Sequence, residues 1–317
     1  MQIYFAPLQG ITDGVFRKIH ADHFPGVAKY FMPFISPTQN YNLTNKELRE
    51  IDPGNLHVPA VPQIIASHPE LFLWAANQLA DLGYDEVNLN AGCPSGTVTA
   101  KGKGAGMLLS MTKLELFLDE VYGKCPIRVS IKTRLGWTSK DEYPRLVELL
   151  NQYPVSELIV HGRTRAQFYE GEADPGTVID SLAMCRMPVV YNGDLFTPQM
   201  CKAFMDSNPQ FHGVMVGRGL VANPALVRTV LSGEALTRAE MQQYHAAVYE
   251  GYMQVFPKSA VLGRMREIGK HLALCFEDAG KIVKKMRKAS SLAAYDAAVC
   301  ELFEHDIASD PGFRVSL

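Results

Sequence analysis

Tyr84-Asp85-Glu86-Val87-Asn88-Leu89-Asn90-Ala91-Gly92-Cys93-Pro94-Ser95 reads as a strand that runs into a turn. Val87 and Leu89 alternate with polar residues, the period of two that a strand requires. Gly92 and Pro94 then end the run and force a turn at its C-terminal end. That turn holds a lone cysteine. A cysteine is most often a small buried hydrophobe. In this turn its thiol can instead face a cleft and exchange a proton.

Working outward, the same pattern of short strand and following helix recurs. Strand-like runs are Ile3–Ala6, Ala28–Met32, Val61–Ile65, Glu86–Asn90, Ile127–Lys132, Glu157–His161, Pro188–Asn192 and Gly213–Gly217. Most are apolar on both parities, as strands covered on both faces should be. Helical spacing marks Pro69–Leu82, Lys113–Tyr122, Tyr143–Gln152 and Pro198–Met205. The connection from Pro33 to Ala60 reads as a long, Asn-rich loop. Eight alternating pairs predict an α/β fold, a closed (β/α)8 TIM barrel. A doubly wound open sheet is the alternative. No GxGxxG follows the first strand, which disfavours a dinucleotide-binding fold.

From Thr237 onward strand signals vanish. Thr237-Arg238-Ala239-Glu240 reads as a capping box that opens a helix. The expected division is residues 1–236 as the barrel and 237–317 as a small all-helical C-terminal domain. Residues 258–288 hold nine Lys/Arg against three Asp/Glu, whereas residues 289–317 hold one Arg against five acidic residues. The chain's net charge of −2 over 317 residues hides this basic stretch.

With 47% hydrophobic and 20% charged residues, the composition is that of an ordinary globular protein. The six cysteines form no CxxC pair and no zinc-like cluster, so a metal site is not expected. They read as reduced thiols of a cytoplasmic protein. The N-terminal Met1–Pro7 segment reads as a strand, not a signal peptide, and no apolar run approaches a membrane span.

Catalytic groups of such a barrel sit at the C-terminal ends of its strands. Polar residues gather at those ends: Pro7-Leu8-Gln9-Gly10, Gln63, Asn90 with Cys93, Lys132-Thr133-Arg134, His161-Gly162-Arg163, Asn192-Gly193-Asp194 and Gly217-Arg218-Gly219. Gly193, Gly217 and Gly219 let backbone N–H groups approach an anion, and Arg218 adds charge, which suits a phosphate; glycines that merely end strands are the alternative. Lys132 at the end of a buried strand needs either a bound electron-rich ligand or an internal ion pair. His161 is either a core histidine or a ligand contact.

The segments Ala6–Asp13, Asn90–Ser95, Lys101–Gly106, Lys132–Gly136, Val160–Thr164 and Asn192–Asp194 occur in the order seen in tRNA-dihydrouridine synthases. The chain resembles that bacterial, FMN-dependent family along nearly its whole length. Leu8-Gln9 stands where Met-Glu or Met-Ala is commoner in the family. The resemblance implies an oxidoreductase that reduces the C5–C6 double bond of D-loop uridines in tRNA, with NADPH as electron donor. Hydride would pass from N5 of FMN to C6, and Cys93 would give the proton to C5 as the general acid. Pro7, Leu8 and Gln9 would line the flavin ring, and Gln63 and Lys132 would bond its pyrimidine edge. His161 would contact the cofactor, while Asn192, Gly193, Asp194, Gly217 and Arg218 would hold its phosphate. Asn90 would orient the uracil.

A uridine in folded tRNA must leave its stack to reach such a pocket. Lys101, Lys103, Arg134, Arg163 and Arg165 are expected on loops at the barrel mouth, where they would meet RNA. Arg264, Arg266, Lys270, Lys281, Lys284, Lys285, Arg287 and Lys288 are expected to form a second phosphate-binding patch, with a solvated helix face as the alternative for Lys281–Lys288. The expected molecule is a monomer. Two other functions stay open: a flavin barrel acting on a free pyrimidine, as in dihydroorotate dehydrogenases, and a non-catalytic RNA-binding protein. A basic helical domain disfavours the first, and Cys93 with the phosphate-type residues disfavours the second.

Overall fold

The strand quoted first spans Glu86–Ala91 in the computed structural model, which describes residues 1–55 and 58–308. It is β5 of nine strands: β1 Gln2–Phe5, β2 Lys29–Phe31, β3 Ala60–Val61, β4 Gln63–Ile64, β5, β6 Arg128–Arg134, β7 Leu158–His161, β8 Val189–Asn192 and β9 Gly213–Val216. Their order in the sheet is β3-β2-β1-β9-β8-β7-β6-β5-β4. The two ends of that order, β3 and β4, are consecutive in sequence and separated only by Pro62. Ala60–Val61 pairs with β2 and Gln63–Ile64 with β5, while Ile35, just past β2, bridges to Ile64. The sheet therefore closes on itself, and its nine strands are eight staves. Each of the eight expected runs forms one of them.

The ladders from β4 through β9 are parallel, with Asn90 opposite Lys132, Arg134 opposite His161 and His161 opposite Asn192. The staves are apolar where expected: Val87, Leu89, Val129, Ile131, Ile159 and Val190 are buried. Helices between them bury one stripe. Helix Pro69–Asp81 buries Leu71, Phe72, Ala75, Ala76 and Leu79, which share one face at helical spacing. Phe72 meets Phe117 of helix Met111–Lys124 edge-on at 5.8 Å. Each such large apolar side chain stabilises by about 1.5–3 kcal/mol on burial. Within the Pro33–Ala60 connection, read as a loop, Asn45–Glu50 forms a short helix behind a Thr44 capping box and Pro53–Asn55 a 3-10 turn.

The chain divides into two compact units. The first comprises Met1–Tyr4, Lys29–Asp194 and Asn208–Met215, and so holds the sheet except for the last residue of β1 and of β9. The second comprises Phe5–Ala28, Leu195–Ser207 and Val216–Leu317. Its described C-terminal part carries helices Arg238–Val255, Lys258–Leu272, Gly280–Lys288 and Leu292–Leu302. Residues 309–317, the end of the expected helical domain, lie outside the described residues. Thr237 closes the expected capping box: its Oγ1 accepts from Glu240 N, and Glu240 accepts from Thr237 N at 2.9 Å. Arg228, and then those Thr237 bonds, hold the Glu240 carboxyl down to about 2. Helix Arg238–Val255 packs on Gly14–His23 within this unit. Gly251 makes that approach possible, because a Cβ there would lie 2.6 Å from Ile19 Cδ1.

Candidate active site

In the first unit, Asn90 shapes the cysteine turn. Its Oδ1 accepts from Gly92 N at 3.1 Å and Cys93 N at 2.9 Å, an Asx turn that folds the chain back just past β5. Gly92 lies so close to β6 that a Cβ would approach the Thr133 carbonyl carbon at 3.2 Å. Cys93 is half-buried and forms no disulfide. Its carbonyl accepts from Ala105 N at 3.0 Å. Gly104 there has φ +58°, and a side chain would stand 2.8 Å from that same carbonyl oxygen. Only glycine meets both conditions, which explains the Lys101–Gly106 motif as a brace behind the thiol.

A buried polar chain runs across β4, β5 and β6. Asn90 Nδ2 donates to Gln63 Oε1 at 2.7 Å, Gln63 Nε2 to Asn88 Oδ1 at 2.8 Å, and Asn88 Nδ2 to Ser130 Oγ at 2.9 Å. Each amide satisfies the next, as burial demands. Gln63 and Asn90 are thus neighbours, and the Asn90 amide serves both Gln63 and the Cys93 turn. Asn88 and Ser130 were missed in the sequence. Asn88 shares the parity of Asn90, and that was the available signal.

Lys132 Nζ donates to Asn192 Oδ1 at 2.9 Å, from β6 to β8, and Asn192 Nδ2 donates to the Met215 carbonyl at 2.8 Å. Burial, reinforced by the Arg134 guanidinium, pulls the Lys132 ammonium down to about 7, while the Cys93 side chain acts in the opposite sense. Among the described residues no carboxylate pairs with Lys132. The internal ion pair considered as an alternative is absent from this position.

Arg134 and Arg163 do not lie on an RNA-accessible surface, contrary to expectation. Arg134 is 2% exposed. Its Nε donates to the Gly92 carbonyl at 2.8 Å, and its Nη1 to the carbonyls of Thr164 at 2.9 Å and Phe168 at 2.7 Å. It therefore ties the cysteine turn to the loop after β7. Burial lowers its pKa to about 10. Arg163 is 1% exposed and grips Asp194 with two bonds, at 2.6 and 3.0 Å. It also donates to the carbonyls of Glu170 and Gly171. Asp194 accepts in addition from Ala173 N at 2.8 Å. Its carboxylate belongs to this bidentate pair, where it balances a buried cation, and a phosphate beside it would meet like charge. Both residues hold the loop together. Sequence spacing cannot reveal that one motif's arginine closes on another motif's aspartate.

The loop they hold presents Phe168 and Tyr169 to solvent, Tyr169 lying over the Arg134 guanidinium at 5.3 Å and 6.2 Å from the His161 ring. His161 is buried, with Arg163 Nη1 at 3.4 Å from its Nε2. Gly193 packs so tightly that a Cβ would strike Ala173 Cβ and the Tyr191 hydroxyl, both at 2.7 Å. Arg165 stacks on Trp137 at 4.5 Å and reaches Thr99 Oγ1 at 3.5 Å. Lys103 donates to Ser36 Oγ at 2.9 Å, and burial lowers its pKa, whereas Lys101 is exposed.

The remaining expected residues belong to the second unit. Pro7 and Leu8 are half-buried and Gln9 is exposed. A Cβ on Gly217 would lie 3.4 Å from Ala6 Cβ and 3.8 Å from Leu8 Cδ1, so this glycine adjoins the Leu8 turn. Arg218 stacks over Phe196 at 4.9 Å. On helix Gly280–Lys288, Ile282, Val283 and Met286 are buried, while Lys281, Lys284, Lys285, Arg287 and Lys288 are exposed. Lys285 is engaged by Glu301 at 2.6 Å, leaving the other four as the exposed basic face. The described residues contain no His/Cys/Asp/Glu cluster able to hold a metal, and none of their helices is long and apolar enough to cross a membrane.

Solved structures similar in fold include a variant of NCR from Zymomonas mobilis, with TM-score 0.55, 14% identity, and coverage of 81% of this chain and 94% of that one. Morphinone reductase aligns with TM-score 0.55 at 12% identity, over 74% of this chain and 86% of its own. These likenesses are of fold alone. In sequence, the chain is 31% identical over 224 residues to "Probable tRNA-dihydrouridine synthase 1" of Synechocystis sp., covering 70% of this chain and 62% of the relative. It is 28% identical over 312 residues to "Probable tRNA-dihydrouridine synthase" of Rhodobacter capsulatus, covering 95% and 94%. The family model "Dihydrouridine synthase (Dus)" matches residues 4–309, and the chain belongs to the dihydrouridine synthase family.

Proposed function

We propose that this protein reduces the C5–C6 double bond of D-loop uridines in tRNA, with FMN as cofactor and NADPH as the source of electrons, in the cytoplasm. The observation that carries the reading is Lys132. An ammonium pulled to about 7, held by a neutral amide and lying within the electrostatic reach of Cys93, is suited to an electron-rich ring that enters beside it. The residues present fit a flavin. Within the first unit, Lys132 and Gln63 offer an ammonium and an amide, Asn192 and the close-packed Gly193 offer approach to phosphate, and His161 adjoins them; Pro7, Leu8, Gln9, Gly217 and Arg218 are proposed for the same cofactor from the family resemblance alone. Asp194 acts through Arg163 in this reading.

Bound flavin supplies hydride to C6 of the uracil. The chain's own residues do the rest. Cys93 holds its proton on Sγ and delivers it to C5, and the thiolate left behind is reprotonated from water. Asn90 fixes the Cys93 backbone through Oδ1, so the uracil meets a thiol whose position is set by the turn. Arg134 braces that turn from the other side. Lys101, Lys103 and Arg165 are the cations of the first unit assigned to RNA. Residues 237–317 are proposed as the RNA-binding domain that follows the catalytic domain 1–236 in sequence, acting through Lys281, Lys284, Arg287 and Lys288.

Cys93→Ala tests the chemistry. It is expected to keep FMN, near one per chain, and to keep tRNA binding, while dihydrouridine formation falls by about 10²–10⁴-fold. NADPH oxidation by the flavin half-reaction persists. Unchanged turnover refutes the thiol as donor, and a wild-type protein that takes up no FMN refutes the whole reading. A Lys281→Gln/Lys284→Gln/Lys288→Gln variant tests the RNA face. The slope of log affinity against log salt should fall by roughly one unit per lost phosphate contact. An identical slope returns the stretch to a solvated helix face.

A further inference from the structure

The turn after β1 carries several bonds within its own unit. Leu8 N donates to Thr12 Oγ1 at 2.8 Å, and the Leu8 carbonyl accepts from Ile11 N and Thr12 N, both at 3.1 Å. Gly10 sits at φ +81°, a conformation that glycine adopts without strain. Arg17 Nη1 donates to the Thr12 carbonyl at 2.8 Å. Asp13 caps the following helix, accepting from Phe16 N. These bonds are local to the turn and the helix that follows it.

Three further contacts, from two side chains, come from far along the chain. Tyr252, wholly buried on helix Arg238–Val255, directs its hydroxyl to the Ile11 carbonyl at 3.3 Å and Asp13 Oδ1 at 3.1 Å. Arg264, on helix Lys258–Leu272, reaches Asp13 Oδ2 at 3.4 Å. Its guanidinium is laid flat by Phe256 at 3.8 Å and Tyr252 at 5.7 Å, which fixes its aim. The same helix packs on Arg218–Ala222, where the Arg218 charge acts on the buried His271. Burial and the Asp13 carboxylate keep the Tyr252 hydroxyl protonated, a permanent donor.

We propose that Tyr252 and Arg264 are positioning residues for the reaction: through Asp13 and the Ile11 carbonyl they set the shape of the Pro7–Gly10 turn that meets the flavin. This rests on the reading of Pro7, Leu8 and Gln9 as flavin-lining. It makes the C-terminal helices part of the cofactor end of their unit as well as an RNA surface. A purely structural role would lower stability and leave the bound flavin as it was.

The experiment is FMN titration of apoprotein, with the visible spectrum of the complex and the thermal midpoint of the apoprotein recorded alongside. Tyr252→Phe, Asp13→Asn and Arg264→Met are each expected to weaken FMN by about five- to tenfold, the worth of one hydrogen bond to a charged or carbonyl partner, and to shift the flavin bands. Asparagine keeps the helix cap, so Asp13→Asn remains informative if Tyr252→Phe fails to fold. Arg264→Lys should recover part of the affinity. Arg228→Gln, which breaks the Glu240 pair in the same unit, should lower the midpoint without moving the flavin. If wild type binds FMN and all three variants match it in affinity and spectrum, the positioning role is overturned. If wild type binds none, the reading of the flavin site falls with it.

Discussion

Two lysines of the first unit, one near each end of its parallel strands, face opposite situations. Lys29 opens β2 and meets two carboxylates, Glu86 at 2.9 Å and Glu157 at 3.5 Å. Tyr4 donates to Glu157 at 2.6 Å, and Arg128 comes within 3.6 Å of Glu86. Lys132, toward the C-terminal end of β6, has a neutral asparagine and a neighbouring arginine. At one end the charges of the protein satisfy each other. At the other a cation is held with no countercharge among the described residues. In barrels the N-terminal end of the strands serves stability and the C-terminal end serves chemistry, and here a single residue type displays both.

If that contrast is right, Lys29→Met has the largest effect on folding. It leaves Glu86 and Glu157, each 4% exposed, buried without their ammonium. Removing one partner of a buried pair costs about 3–5 kcal/mol, and the 24% exposure of Lys29 places this case toward the lower figure. Denaturant unfolding at pH 7 measures it. A loss below about 1 kcal/mol, the worth of a surface pair, would break the comparison.

Lys132→Met should change apoprotein stability in the other direction. The folded-state pKa of about 7 lies below the ordinary lysine value of 10.5, so the native state disfavours the charged form. The cost is full below pH 7, where the lysine is protonated folded or unfolded. It fades as pH rises from 7 toward 10.5, because the unfolded chain then binds the extra proton. The variant should gain about 1–2 kcal/mol at pH 6, after allowing for solvent around a half-buried group, and nothing at pH 10.5. It should also lose flavin. A variant that is destabilised at pH 6 would mean that Lys132 is a structural cation like Lys29.

The staves of this barrel were legible because buried parallel strands impose a local pattern, and each run from Ile3 to Gly217 obeys it. Pro62 was visible, but not that the chain runs through it as one stave, bonded to β5 and, through Ile35, still to the β2 side. Cys93 and Lys132 could be singled out because a turn and a stranded charge are local anomalies. Asp194 and Arg163 were given ligand roles because motif residues were read one at a time. Their bidentate pair joins residues 31 positions apart, and pairing over that distance is a property of the closed sheet. The burial of Arg134 was hidden for the same reason, since its acceptors are carbonyls, which sequence does not distinguish.

The smallest effect gives the finest test of the closed charge cluster. Burial raises the Glu157 carboxyl above the ordinary carboxylate range, while the Tyr4 hydrogen bond, Lys29 and His212 pull it back and Glu86 pushes it further up. Glutamine keeps an acceptor for Tyr4 and removes the charge, so Glu157→Gln should change stability by under about 1 kcal/mol at pH 7. The sign with pH follows from the raised folded value. The carboxyl's favourable contribution is full below the unfolded value of 4.5 and is lost as pH rises through the folded one. Glu157→Gln lacks that loss, so it should gain on wild type between pH 4 and pH 8. Combined with Lys29→Met it should recover part of the single variant's deficit at pH 8, because only Glu86 is then left orphaned. Strict additivity of the two changes would show that Lys29 and Glu157 are not coupled, and the N-terminal end of the strands would then be a set of separate contacts, with Glu86 alone answering Lys29.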